Sequence, residues 1–370
     1  MRRQLFSCIL LICILSACSG LPTGQQPATP QATTVQKAPH ATPTHKGPKT
    51  LRDLADARHI HIGAAVNLDA LQHDHDYSRV LSDEFNAVTP ETAMKFDALQ
   101  PQPGDYTFQQ ADAFVNYAHQ HGMVPRGHTL VWYSALPPWL QNGSYSRDQL
   151  MYILKDYITK VVTHYKGQIN VWDVVNEAVD DDTGQLSDSI WLRGIGPDYI
   201  DMAFRWAHEA NPQAQLFYND YGTEWSSKKF DGVYSLLQGL IQRGVPINGV
   251  GMQMHMHTQF YPDNATVLQN MQRFADLGLK IDITEMDVLT SETKVDMPTT
   301  LKIQADIYGT VVKDCLQIKV CQSIVFWGFT DRYTWVHSDL HRDSDQPLIF
   351  DKDYRHKPAY DAIVQALKTP

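Results

Sequence analysis

The chain is short of cysteine, carries no basic stripe and has no apolar run long enough to span a bilayer comfortably. Its five cysteines fall at positions 8, 13, 18, 315 and 321, none in a C-x-x-C spacing, so a ribbon- or finger-type metal site is not expected. Lysine and arginine number 31 against 41 acidic residues, a formal charge of −10. That balance argues against a nucleic-acid partner and suits a neutral or weakly charged substrate. The first β-like run reads "HIHIGAAVN" and lacks the glycine-rich turn that cradles a dinucleotide phosphate. No cofactor is expected, and no internal repeat is evident.

What is present suits one large core, since the chain is 43% hydrophobic and 19% charged. Single barrel domains run well past 250 residues, so a length of 370 does not force two. Residues 1–18 read as an address. Arg2 and Arg3 precede "LFSCILLICIL", which ends in "LSAC". This resembles the bacterial lipoprotein signal, in which Cys18 would be lipidated and become the mature N-terminus; an uncleaved signal anchor is the alternative. Residues 19–50 are rich in Pro, Thr and Gln without apolar periodicity, a disordered linker that as a coil would reach roughly 30 Å. The expected place is therefore extracellular or cell-surface, with membrane contact only through the lipid at Cys18. Cys315 and Cys321 remain, and in an exported protein they fit a local disulfide better than a redox site. Nothing sets the oligomeric state, and a monomer is the default expectation.

From residue 51 short β-rich runs alternate with helical patterns. The strands are expected at 59–66, 85–91, 124–130, 169–177, 215–220, 247–254, 280–287 and 323–330, with helices such as 110–122 and 197–212 between them. Eight such units over 51–370 point to an α/β fold with parallel strands, a (β/α)8 barrel forming one catalytic domain. In a barrel the chemistry sits where strands end. Polar residues gather there: Glu91, His128, Glu177, Asn219, Asp220, Gln253, His255, Glu285 and Asp331.

Two strand ends stand out, "INVWDVVNEA" at 169–178 and "KIDITEMDV" at 280–288. A carboxylate ending an apolar strand costs free energy if it is desolvated without a partner. A single one could be an ion pair; two opposed carboxylates ringed by tryptophan are the minimum equipment for glycoside hydrolysis, one kept protonated and one ionised. Alternate residues share a face, which groups Glu285 with Asp287, and Asp173 with Glu177.

"WDVVNEA" and "ITEMD" look like the catalytic segments of the family 10 glycoside hydrolases, the endo-β-1,4-xylanases. "TPETAMKF", "GHTLVWYSALPPW", "NDY", "GVGMQMH", "FWGFTDRYTW" and the closing "PLIFDKDYRHKPAYDAIVQAL" resemble further segments in order, so the likeness covers about residues 51–368. It implies a retaining enzyme acting on β-1,4-xylan or xylo-oligosaccharides, with Glu177 as acid/base and Glu285 as nucleophile, about 5 to 5.5 Å apart. By the same resemblance Asn176 would donate to the 2-hydroxyl of the sugar at the cleavage point, and His255, backed by Asp287, would bond the nucleophile. Asp173 would orient His128. Trp132, Trp327 and Trp335 match glycone-side walls, while Glu91, Lys95, His128 and Gln253 match hydroxyl-binding positions. Asn219 matches a support of the acid, and Tyr221 the first leaving-group subsite.

The chain departs from the family pattern on the glycone side, with Thr92 for Asn, and Tyr133 and Ala135 for the His and Gln of Trp-His-Ser-Gln. Gly222 also stands where Asn is common. These changes touch substrate preference and leave the carboxylate pair intact, so a related β-glycanase or a catalytically weak sugar-binding homologue is the alternative. A metal-dependent barrel hydrolase would use His-x-His sets such as His59/His61 or His255/His257. The first pair, however, precedes the apolar run and belongs to the wrong end of the barrel. "HDHD" at 73–76 reads as a solvated loop.

Overall fold

The structure, a computed structural model, describes residues 49–291 and 293–369. The expected signal, Cys18 and nearly all of the linker lie outside the described residues. The first helix, Leu51–Ala57, starts at a capping box in which Thr50 and Asp53 satisfy each other's backbone N–H groups. A second such box, Ser146 with Gln149, opens the helix Arg147–His164.

Ten strand segments form one parallel sheet. Four pair up as halves of interrupted strands, which leaves eight positions around a barrel. In chain order they are His61–Val66, Ala87–Pro90, Val124–Pro125 continued by Gly127–Val131, Val171–Asn176, Gln215–Asp220, Gly249–Met252 continued by His255–His257, Lys280–Leu289 and Cys321–Phe326. The expected strands are all found, with two breaks that alternation did not reveal.

The break in the third strand closes the barrel. Its first half pairs with the second strand (Ala87 with Val124) and its second half with the fourth (Gly127 with Trp172). Arg126, between the halves, donates its backbone N–H to Val88. Close approach of strands needs small residues: a Cβ on Gly63 would lie 2.6 Å from the Ala87 carbonyl oxygen.

Aliphatic and aromatic side chains fill the space between barrel and helices, with Trp172, Trp191, Tyr157 and Tyr308 fully buried. Inside the barrel one buried charge set replaces apolar packing. Arg126 gives Nε and Nη2 to Asp173 and Nη1 to Asp282, the last at 2.7 Å. The guanidinium bonds both carboxylates, and removing it would strand them in a dry interior. A Cys315–Cys321 disulfide ties the helix Met297–Gln317 to the eighth strand.

"HDHD" is not a free loop. Asp74 caps the helix His75–Glu84 and accepts bonds from Arg332, Tyr333 and Tyr354, for which a loop reading from composition gave no hint.

Candidate active site

Glu177 is the first residue past the fourth strand, and its backbone is left-handed, with φ of 54°. That region is costly for a non-glycine residue and is held here by the bond from the Glu177 N–H to the Asn219 carbonyl at 2.9 Å. The strand also slips register between Asp173 and Val175. Simple alternation therefore does not aim this carboxylate; the turn does. Trp132 Nε1 donates to Oε2 at 2.7 Å and Gln253 Nε2 donates to Oε1 at 2.8 Å.

Glu285 lies within the seventh strand and is 5% exposed. Asn219 Nδ2 donates to its Oε1 at 2.7 Å, and His255 Nε2 stands 3.4 Å from its Oε2. Burial pushes this carboxyl up, but the His255 contact, His128 and Asn219 outweigh it and hold it below the usual glutamate range. His255 Nδ1 is 3.0 Å from Asp287, whose other oxygen accepts from Trp335 Nε1 at 2.6 Å. Burial opposes charge on His255, yet Asp287 and Glu285 prevail and raise its pKa well above the ordinary value. An imidazolium between two carboxylates is the result.

The two acids belong to one network. Asn219 Nδ2 also reaches Asn176 Oδ1 at 2.8 Å, and Gln253 Nε2, bonded to Glu177, stands 3.4 Å from the same oxygen. With its oxygen so engaged, Asn176 has its NH2 group left to donate. Two contacts differ from expectation. The Asn219 amide supports Glu285 and touches Glu177 only through its backbone carbonyl, whereas Gln253, expected among the hydroxyl binders, bonds Glu177 directly. The breaks and turns at the strand ends rotate these amides in ways that spacing does not encode.

On one side, Glu91, Lys95, Trp327 and Trp335 line a cleft of about 540 Å³ that Thr92 also borders. Burial raises the Glu91 carboxyl to about 7 despite Lys95, whose ammonium lies 4.9 Å from the Trp132 ring centre. His128 packs its edge on Trp327 and holds Asp173 at 3.0 Å, as expected.

On the other side, Tyr221 donates to Asp181 at 3.0 Å, and Lys229 lies under the Tyr221 ring, 3.4 Å from its centre, bonding Asp181 at 2.7 Å and Asp220 at 3.0 Å. Tyr133 stands beside Glu177 with 45% of its surface exposed. Sequence reasoning missed Lys229, Asp181 and Arg126. Only Arg126 left a trace, two residues from His128 and so on the same strand face.

His59 and His61 sit where the first strand begins, opposite the carboxylates. Among the described residues no group of three or more His, Cys, Asp or Glu is placed to hold a metal ion.

A parallel barrel with two networked glutamates at the strand ends, walled by tryptophans, defines a glycoside hydrolase. The family model for "Glycosyl hydrolase family 10" matches residues 50–366, and the chain belongs to that family. It is 41% identical over 320 residues to endo-1,4-beta-xylanase B of Thermotoga neapolitana, covering 86% of this chain and 91% of the relative. A beta-1,4-xylanase of Dictyoglomus thermophilum is 38% identical, with 82% and 87% covered. The crystal structure of xylanase 10B from Thermotoga petrophila RKU-1 in complex with xylobiose superposes with a TM-score of 0.84 at 40% identity, covering 88% of this chain and 98% of that one.

Proposed function

We propose that the chain is an endo-β-1,4-xylanase that cleaves internal xylosidic bonds with retention, through a covalent glycosyl-enzyme. In the first step Glu285 Oε attacks the anomeric carbon while Glu177 passes its proton to the departing glycosidic oxygen. In the second, Glu177 takes a proton from water, whose oxygen displaces the Glu285 ester and regenerates both acids. The hydrogen-bonded run Glu177–Gln253–Asn176–Asn219–Glu285 carries this reading, because it fixes acid, nucleophile and 2-hydroxyl donor in one frame. His255 keeps the nucleophile ionised, and Asp287 keeps His255 charged. Lys95, Glu91 and the tryptophans form the glycone wall; Tyr221 receives the first leaving-group sugar.

Thr92, Tyr133 and Ala135 support a second reading, a related β-glycanase with altered glycone preference. Incubation with xylan and with mixed-linkage glucan, followed by chain-length and anomeric analysis of the products, separates the two. Internal cleavage of xylan to β-configured ends is expected, and release from glucan alone would favour the second.

The "LSAC" motif and the linker further support lipid anchoring at Cys18 on the outer face of the bacterial envelope. Metabolic labelling with a radiolabelled fatty acid, lost on Cys18→Ser, checks the anchor.

A further inference from the structure

Tyr133 follows the tryptophan that bonds the proposed acid/base, on a turn pinned at both ends. Ahead of it, Trp191 Nε1 donates to the Trp132 carbonyl at 2.8 Å. Behind it, Ala135 is left-handed, with φ of 49°, and its carbonyl accepts from the Asp97 N–H at 3.0 Å. The Tyr133 ring stands edge-on to Trp132, with 5.6 Å between centres. It shares a recess with Trp132, Asn176 and Glu177, apart from the cleft that Thr92 borders. Of the three residues that depart from the family pattern around Trp132, this one therefore belongs to the acid.

The Tyr133 hydroxyl lies against the Glu177 carboxylate, with Tyr221 and Lys229 nearby. Those two neighbours are committed elsewhere: Tyr221 donates to Asp181, and Lys229 to Asp181 and Asp220. Glu177 is thus the acceptor open to the Tyr133 proton. Burial, and then the charge on Glu177, raise this hydroxyl well above the ordinary tyrosine range, so at neutral pH it remains a donor. An ionised carboxylate offers about four lone-pair sites on its two oxygens. Trp132 Nε1 fills one on Oε2, and Gln253 Nε2 fills one on Oε1. A third donor leaves a single site for the proton that Glu177 must hand to the leaving oxygen.

We propose that Tyr133 is a positioning residue for proton transfer: its hydroxyl is the third donor to Glu177 and confines the carboxyl proton to the lone pair facing the departing glycosidic oxygen. The inference rests on Glu177 being the acid/base. Other charged and titratable groups face this carboxylate. Asp220 and Tyr221 do so from the end of the fifth strand, and Lys229 and Asp181 stand behind Tyr221. Glu285 and His255 lie across the amide run. Tyr133→Phe changes none of these charges, so a shift in the pH profile of that variant reads the hydroxyl. The ring is kept and 45% of the residue's surface is exposed, so folding is not at stake.

The test compares the wild-type chain with Tyr133→Phe on phenyl β-xylobioside, whose leaving group needs a proton, and on dinitrophenyl β-xylobioside, whose leaving group needs little help. Initial rates are followed as a function of pH. In the variant, kcat/KM on the phenyl substrate is expected to fall roughly fivefold or more beyond any loss on the dinitrophenyl one, the worth of one hydrogen bond. The basic limb of kcat/KM on the phenyl substrate moves to higher pH, because a carboxylate that loses a donor keeps its proton longer. Equal losses on the two substrates, or a basic limb that stays in place, overturn the inference alone. A wild-type chain that cleaves neither xylobioside overturns the proposed function, and the inference with it.

Discussion

Asn219 holds Glu285 by a 2.7 Å bond from Nδ2 to Oε1, and the same nitrogen reaches Asn176 Oδ1 at 2.8 Å. One amide therefore positions both the proposed nucleophile and the residue that would read the sugar 2-hydroxyl. Its orientation is fixed in turn by Thr284, whose hydroxyl donates to Asn219 Oδ1 at 2.6 Å. A flipped amide would present two donors to Thr284 and an oxygen to a carboxylate.

Gly251 makes room for this arrangement. A Cβ there would overlap Asn219 Oδ1 and lie 2.8 Å from Thr284 Cγ2. Gly251→Ala is expected to displace the amide and lower kcat on xylo-oligosaccharides by about 10²-fold, the scale of an ångström-sized misplacement. Unchanged kcat in steady-state assays would show that the amide is not needed where it stands.

His255 is expected to set the acidic limb of the pH profile. It helps to hold Glu285 below the usual glutamate range, and the nucleophile must be ionised to attack. His255→Ala removes that support, the Glu285 pKa rises, and the acidic limb of kcat/KM moves to higher pH. The same sign applies to stability: the contribution of a depressed carboxyl is present above its unfolded value and fades as pH falls through its folded one. A pH–rate series on the variant reads the shift, and a limb unmoved or displaced downward contradicts the role.

Lys229 braces Tyr221 and Asp181 on the proposed leaving-group side. Lys229→Met frees Asp181 and Tyr221, so kcat/KM for xylotetraose should fall about tenfold, the worth of one or two hydrogen bonds, while an activated aryl xylobioside is cleaved nearly as before. The variant also strands Asp220, which burial already pushes up to about 7 against Lys229. A raised carboxyl costs stability increasingly as pH climbs towards its folded value. Destabilisation of about 3 kcal/mol is expected at pH 8, the scale of breaking a buried pair. It should be smaller at pH 5, where Asp220 holds its proton; denaturant curves at the two pH values would reveal a pH-independent loss if this is wrong.

The barrel and its carboxylates were legible because strand ends are the one place where polar residues interrupt apolar runs. Period-two spacing grouped Glu285 with Asp287 and Asp173 with Glu177, while the family resemblance supplied the pairing of Asp287 with His255 and, by analogy, of Asp173 with His128; both bonds are present. Other features are made by the closed ring itself. Glu177 takes its direction from a left-handed turn that the neighbouring Asn219 carbonyl and Tyr218 hydroxyl hold in place. Lys229 reaches Tyr221 from the first turn of a helix eight residues later, a proximity with no mark in composition or period. Gln253 reaches Glu177 from the break in the sixth strand at Gln253 and Met254, the latter with φ of 61°.

Trapping the covalent intermediate tests the central claim most directly. The chain would be incubated with an activated 2-deoxy-2-fluoro-β-xylobioside, digested, and its peptides mapped by mass spectrometry. One fluoroglycosyl adduct on the Glu285 side chain is expected, forming in Glu177→Ala as well when the leaving group needs no proton. An adduct on Glu177, or an active enzyme that forms no adduct, would contradict it.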